Sequence, residues 1–78
     1  MVEKETIKLW IEEEYNDFIS VFVNENFVRI TNGSPAHAVD IYPEGPSFII
    51  EGEKYGETIA DSCDADRESL MKTLERNI

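Results

Sequence analysis

The stretch Asp64-Ala65-Asp66-Arg67-Glu68 sets a carboxylate at every second position, which is the opening rhythm of a calcium loop. Such a loop takes acids at positions one, three and five, glycine at six and glutamate at twelve. Counted from Asp64, the fifth position is Glu68 and the twelfth is Glu75, but the sixth is Ser69. Serine lacks the backbone freedom that the sharp turn at position six requires. Leu70, Leu74 and Ile78 then recur every four residues with Met71 beside them, which is helical spacing. The stretch therefore reads as the front of a helix: Asp64 or Asp66 is the cap, and the acids complement the positive N-terminal end. Ala65 and Leu70 can form a hydrophobic staple across an Asp66 cap. Lys72 and Arg76 fall late in this helix, where its dipole favours cations. No metal or other cofactor is expected.

Other chemistry is sparse. His37 and Cys63 are the single histidine and the single cysteine, and they form the one conceivable thiol pair. A lone histidine is more often structural or solvated, and a lone cysteine more often packs as a small hydrophobe. Gly33, Gly45, Gly52 and Gly56 read as isolated turn residues, so no glycine loop cradles a phosphate. With 17 acids in 78 residues, close carboxylate pairs arise by chance, and no apolar run marks a pocket that would raise a pKa. These residues do not predict an enzyme.

The elements that position these residues follow from periodicity. Thr6 to Glu12 alternates, with Ile7, Leu9 and Ile11 on one side and Thr6, Lys8, Trp10 and Glu12 on the other, which predicts a strand. A helix competes, because Ile7, Ile11, Tyr15, Phe18 and Ile19 also form one helical stripe, with Leu9 then on the polar side. Residues 17–23 are rich in β-branched and aromatic types and predict a strand. Asn24-Glu25-Asn26 is a turn, 27–31 the returning strand, and Asn32-Gly33 a tight-turn dipeptide. Residues 37–42 alternate as a further strand, and Ser34-Pro35 offers a short helical start as the competing reading. Pro43-Glu44-Gly45-Pro46 is a break. Residues 47–53 form the next strand, Tyr55-Gly56 a turn, and 57–61 a short final strand. The sum is an α+β domain spanning 1–78: an antiparallel meander of four to six strands with one C-terminal helix packed on the sheet.

A chain of this length buries roughly 60% of its unfolded surface, so its core is thin. One cysteine rules out an internal disulfide framework. The first residues show no basic region followed by a long apolar run, and no apolar stretch approaches the roughly 20 residues that span a bilayer. A cytoplasmic protein is expected.

Charge is the strongest compositional signal. Seventeen acids against seven bases give a net charge of −10. Residues 1–39 contribute −4 and residues 40–78 contribute −6, so the acidity covers the whole fold. Direct binding to nucleic acid needs a positive surface that displaces counterions, and anionic membranes require the same. Both are disfavoured, and the electrostatically favoured partner is basic.

Three acidic clusters are the candidate contact surfaces: Glu12, Glu13, Glu14 and Asp17; Glu51, Glu53 and Glu57; and Asp61, Asp64, Asp66 and Glu68. On a strand, Glu51 and Glu53 share a face about 6.6 Å apart, a spaced pair crudely like a row of phosphates. Trp10 and Tyr15 are the candidate aromatic anchors of an interface, and Tyr42 and Tyr55 can flank it. In size, charge and lack of catalytic machinery only, the chain resembles phage-encoded inhibitors of host defence nucleases and immunity proteins against nuclease toxins. That resemblance implies a non-enzymatic protein that binds and inhibits a basic, nucleic-acid-handling partner by nucleic-acid mimicry. The alternative is a structural or accessory sheet domain that self-associates, with acidity serving only solubility.

Overall fold

In the computed structural model, residues 2–15, 19–33 and 36–78 are described. The candidate Asp17, the stripe residue Phe18 and the Ser34-Pro35 turn lie outside them. Chain order is α1 (Lys4–Tyr15), β1 (Ser20–Val23), β2 (Val28–Thr31), β3 (His37–Glu44), β4 (Ser47–Lys54), β5 (Glu57–Asp64) and α2 (Arg67–Asn77). The strands form one antiparallel sheet in the order β1-β2-β3-β4-β5. The expected α+β meander with a C-terminal helix is present, joined by a second helix at the N-terminus.

That helix corrects the expected strand over 6–12. Ile7 and Ile11 lie one helical turn apart and are both fully buried, while Leu9 is 55% exposed. Burying two isoleucines contributes about 1.5–3 kcal/mol each, and this outweighs the unfavourable local chemistry. Glu12, Glu13 and Glu14 stand at the negative end of the helix dipole, with no basic residue in the last turn. Arg67 supplies the missing cation from the start of α2: its guanidinium lies 3.0 Å from Glu13 and 3.7 Å from Glu14.

The turns set the register. The Asn24 N–H donates to the Phe27 carbonyl at 2.8 Å and closes the β1–β2 connection. β3 runs through Pro43 to Glu44, so the break is narrower than its sequence suggests. Glu44 pairs with Ser47 across Gly45-Pro46, and Gly45 has φ 67°, in the position that a II′ turn reserves for glycine. Lys54 pairs with Glu57 across Tyr55-Gly56, whose φ values of 50° and 91° are the paired positive angles of a I′ turn. β5 continues beyond residue 61, so Ser62, Cys63 and Asp64 are strand residues too.

Gly52 is no turn residue. It sits within β4 opposite Val39, and a Cβ built on it would lie 2.1 Å from the Ala38 carbonyl oxygen. Glycine is there because the neighbouring backbone passes where a side chain would begin.

Both helices pack on the same side of the sheet, α1 against β1 and β2 and α2 against β5. The core comprises Ile7 and Ile11 from α1, Leu70 and Leu74 from α2, and Val28, Ile30, Val39, Ile41, Phe48, Ile50 and Ile59 from the strands. Of the two caps the sequence offers, Asp64 and Asp66, it is Asp66 that caps α2: Oδ1 accepts the Ser69 N–H at 2.8 Å and Oδ2 accepts the Ser69 hydroxyl at 3.0 Å. No helix among the described residues is long and apolar enough to cross a membrane.

Candidate functional site

Strand alternation and register define the opposite side of the sheet, which no described helix covers. One lateral row crosses all five strands: Phe22, Arg29, Asp40, Glu51 and Ala60. A second contains Ser20, Thr31, Ala38, Glu53 and Thr58. Tyr42, Ile49 and Ser62 lie in a third, with Phe27 at its β2 end, its ring 5.1 Å from that of Tyr42.

The face is divided in character. Toward β1 it is aromatic, with Phe22 54% exposed and the Arg29 guanidinium 5.3 Å above the Phe27 ring. Arg29 also grips Asp40 with two bonds, Nε to Oδ1 at 2.7 Å and Nη2 to Oδ2 at 2.9 Å. It is the only Lys or Arg that the alternation puts on this face among the described residues, and Asp40 matches its charge. Toward β5 the face presents Glu51 and Glu53, both exposed, with small Thr58, Ala60 and Ser62 beside them. Its surplus charge is therefore negative, as the pairing of Glu51 and Glu53 on one strand face implies.

The other sequence clusters are rearranged by the fold. Glu57 and Asp61 belong to the helix-covered side of β5, whereas Asp64 belongs to the open side. The carboxylate of Asp61 is held below the usual range by hydrogen bonds from the Asn77 amide, the Ser62 N–H and Arg76. Asp66 is likewise held low by the Ser69 N–H and hydroxyl, and Glu68 pairs with Lys72 one turn on. Among the described residues, no three His, Cys, Asp or Glu side chains converge as metal ligands would.

Glu14 and Tyr15 line an open groove of about 580 Å³ between the helices, with Arg67, Glu68, Met71 and Glu75. Burial, followed by the nearby charges of Glu14 and Glu75, pushes the Tyr15 hydroxyl pKa up, so it stays protonated. Glu12 is exposed on α1. Trp10 does not project from a strand face opposite Ile7 and Ile11; it is half-buried on α1 and packs against the core. Tyr55 is 66% exposed at its turn.

The fold separates His37 from Cys63. His37 is buried, with Nε2 3.0 Å from the Asn77 carbonyl oxygen. It pairs across β4 with the Lys54 and Glu57 level of the sheet. Cys63 lies six residues further along β5, about 20 Å at strand rise. Burial pushes its thiol pKa up, and Asp61, Asp66 and Asp64 add to the effect, so the thiolate is disfavoured.

Sequence reasoning named Tyr42 as a flanking aromatic but missed the cluster that Arg29, Asp40 and Phe27 form with it. Arg29, Asp40 and Tyr42 are outward positions of alternating strands and Phe27 directly precedes β2, but only the pairing of β2 with β3 brings them together.

Against known proteins, the chain matches no family model, no curated protein and no solved structure.

Proposed function

We propose that this chain is a non-enzymatic acidic protein that binds a basic, nucleic-acid-handling protein and inhibits it by occupying the surface where nucleic acid would lie. The observation that supports this most directly is the sheet face that no described helix covers. Glu51 and Glu53 stand exposed on adjacent outward positions of β4, and Arg29, the one cation of that face among the described residues, is already matched by Asp40. A pair of negative charges on one strand face, set about 6.6 Å apart along the backbone, favours a positively lined channel, and the net charge of −10 steers the encounter. The functional class in view is the phage anti-defence inhibitor or nuclease immunity protein, acting in the cytoplasm.

Affinity capture from the native host, followed by identification of what is retained, tests this reading. The retained protein should be basic, lose nucleic-acid binding in the complex, and release steeply as salt rises. A partner with an acidic contact surface, or retention that ignores salt, would contradict it.

Self-association is the second reading, favoured by exposed apolar side chains: Leu9 at 55% on α1, and Phe22 at 54% and Val23 at 37% on the edge strand β1. Light scattering distinguishes the two readings. A dimer that dissociates on Phe22→Ser or Leu9→Ser supports the accessory role. Trp10→Ala is no clean probe, since Trp10 packs on the core.

A further inference from the structure

The edge of the sheet at β5 is a second feature of the acidic side, and its backbone can be accounted for residue by residue. β5 is the last strand in the order and pairs only with β4 among the described strands. In an antiparallel pair, residues alternate between bonding their neighbour and facing away from it. The Ala65 N–H donates to Pro46 at 3.1 Å, which extends the β4 ladder on odd-numbered residues. The Ser62 N–H turns to Asp61 Oδ1 at 2.8 Å instead, so the even-numbered residues face the edge. Two edge groups are thereby occupied: the Ser62 N–H, and the Asp64 carbonyl, which accepts the Asp66 N–H at 2.9 Å. Thr58 and Ala60 present their N–H and carbonyl groups outward.

We infer that this edge accepts an extended basic segment of a protein partner as a sixth strand, a proposal that rests on the reading of the partner as basic. β5 carries Glu57, Asp61 and Asp64 and no Lys or Arg, which disfavours a second copy of the chain and favours a positive strand. The neighbouring residues make the match more specific. Ala60 pairs with Glu51 and Thr58 with Glu53, so an added strand would lie about 9.6 Å from β4, two strand spacings. Only the small side chains of Thr58 and Ala60 stand between. The long stem of an arginine or lysine opposite each of them can cross that gap and bring its charge to Glu53 or Glu51. On the other face an added strand runs beside α2, where Arg76 is bound to Asp61, so the intervening positions must be uncharged. The recognised pattern is thus basic residues at alternate positions of an extended chain, held by main-chain bonds at Thr58 and Ala60 and selected by Glu51 and Glu53.

The test uses a synthetic heptapeptide of alternating threonine and arginine, and the same peptide N-methylated at the arginine backbone nitrogens. In the bound register the arginines sit opposite Thr58 and Ala60, so methylation removes the main-chain donors and leaves charge unchanged. The unmodified peptide should slow amide exchange at Thr58 and Ala60. It should bind at least roughly tenfold more tightly than the methylated one, a loss matched by Glu51→Gln with Glu53→Gln. Ala60→Pro, which removes an N–H that β4 does not use, should also abolish binding of the unmodified peptide. Equal, salt-sensitive binding of both peptides would overturn strand addition while leaving the basic-partner reading intact. Failure of the unmodified peptide to bind at low salt would also overturn it, and the basic-partner reading would still be decided by capture from the host.

Discussion

Arg29 on β2 and Asp40 on β3 face each other on the side of the sheet that no described helix covers and share two hydrogen bonds, at 2.7 and 2.9 Å. Their burial is unequal: the Asp40 side chain is 11% exposed and that of Arg29 is 45% exposed. Loss of one partner therefore has unequal consequences. Arg29→Met leaves a nearly buried carboxylate without its partner and should cost roughly 1–3 kcal/mol. Asp40→Asn leaves a guanidinium that water can reach and lowers the net negative charge, so it should cost under about 1 kcal/mol. Urea unfolding of the two variants measures both, and equal costs or the reverse order would refute the assignment.

Gly52 makes a second, sharper prediction. A Cβ there meets the Ala38 carbonyl oxygen at 2.1 Å, whereas one on Gly56 in the I′ turn meets nothing within 4 Å. Gly56→Ala should therefore pay only the positive-φ penalty, about 1–2 kcal/mol. Gly52→Ala must displace β3 from β4 as well and should cost about 3 kcal/mol or more. Thermal unfolding of the pair is sufficient, and a Gly52→Ala variant as stable as Gly56→Ala would contradict the close approach of the strands.

The sequence makes legible whatever depends on near neighbours. The Tyr55-Gly56 turn, the strands flanking it and the Asp66 cap all follow from local chemistry, because a turn or a cap is completed within four residues. α1 was hidden because a seven-residue window holds too little periodicity. Ile7 and Ile11 satisfy both a period of two and a period near four, so only Leu9 separates the alternatives. Local signals also opposed a helix, since three glutamates crowd its C-terminal end, and the compensating Arg67 is 54 residues away in sequence. The candidate site divides the same way. Glu51 and Glu53 share a face by alternation alone. Asp61 and Asp64 are close in sequence, yet their odd and even positions put them on opposite faces. Asp40 gives no sign of its partner until the β2–β3 register is known.

Acid should destabilise the fold through Asp61 and Asp66. Asp61 is held low first by the Asn77 amide, then by the Ser62 N–H and Arg76; Asp66 is held low first by the Ser69 N–H and then by its hydroxyl. A carboxylate with a depressed folded-state pKa contributes stability that is present above its unfolded value, near 3.9, and lost as pH falls through the folded value. The urea midpoint should thus decline as pH drops below about 4. In the combined Asp61→Asn and Asp66→Asn variant the midpoint should start lower at pH 7 and decline less steeply. A wild-type midpoint that does not fall between pH 4 and 2, or a variant with the same slope, would exclude these two groups as the source.

Arg67 provides the salt test of how the acidic chain tolerates its own helices. Its guanidinium meets Glu13 and Glu14 at 3.0 and 3.7 Å, where the dipole of α1 already disfavours negative charge. All three side chains are 44–51% exposed, so the pairs are screened, and Arg67→Ala should cost no more than about 1 kcal/mol at low salt. Charge reversal, Arg67→Glu, adds repulsion at the same place and should cost more. Both penalties should shrink as ionic strength rises toward 1 M, where the screening length falls to about 3 Å. Far-ultraviolet circular dichroism across a sodium chloride series should show helicity recovering with salt in Arg67→Glu. If the loss is independent of salt, Arg67 acts by packing its stem between the helices, and the charge account of how α1 tolerates its C-terminal glutamates would have to be abandoned.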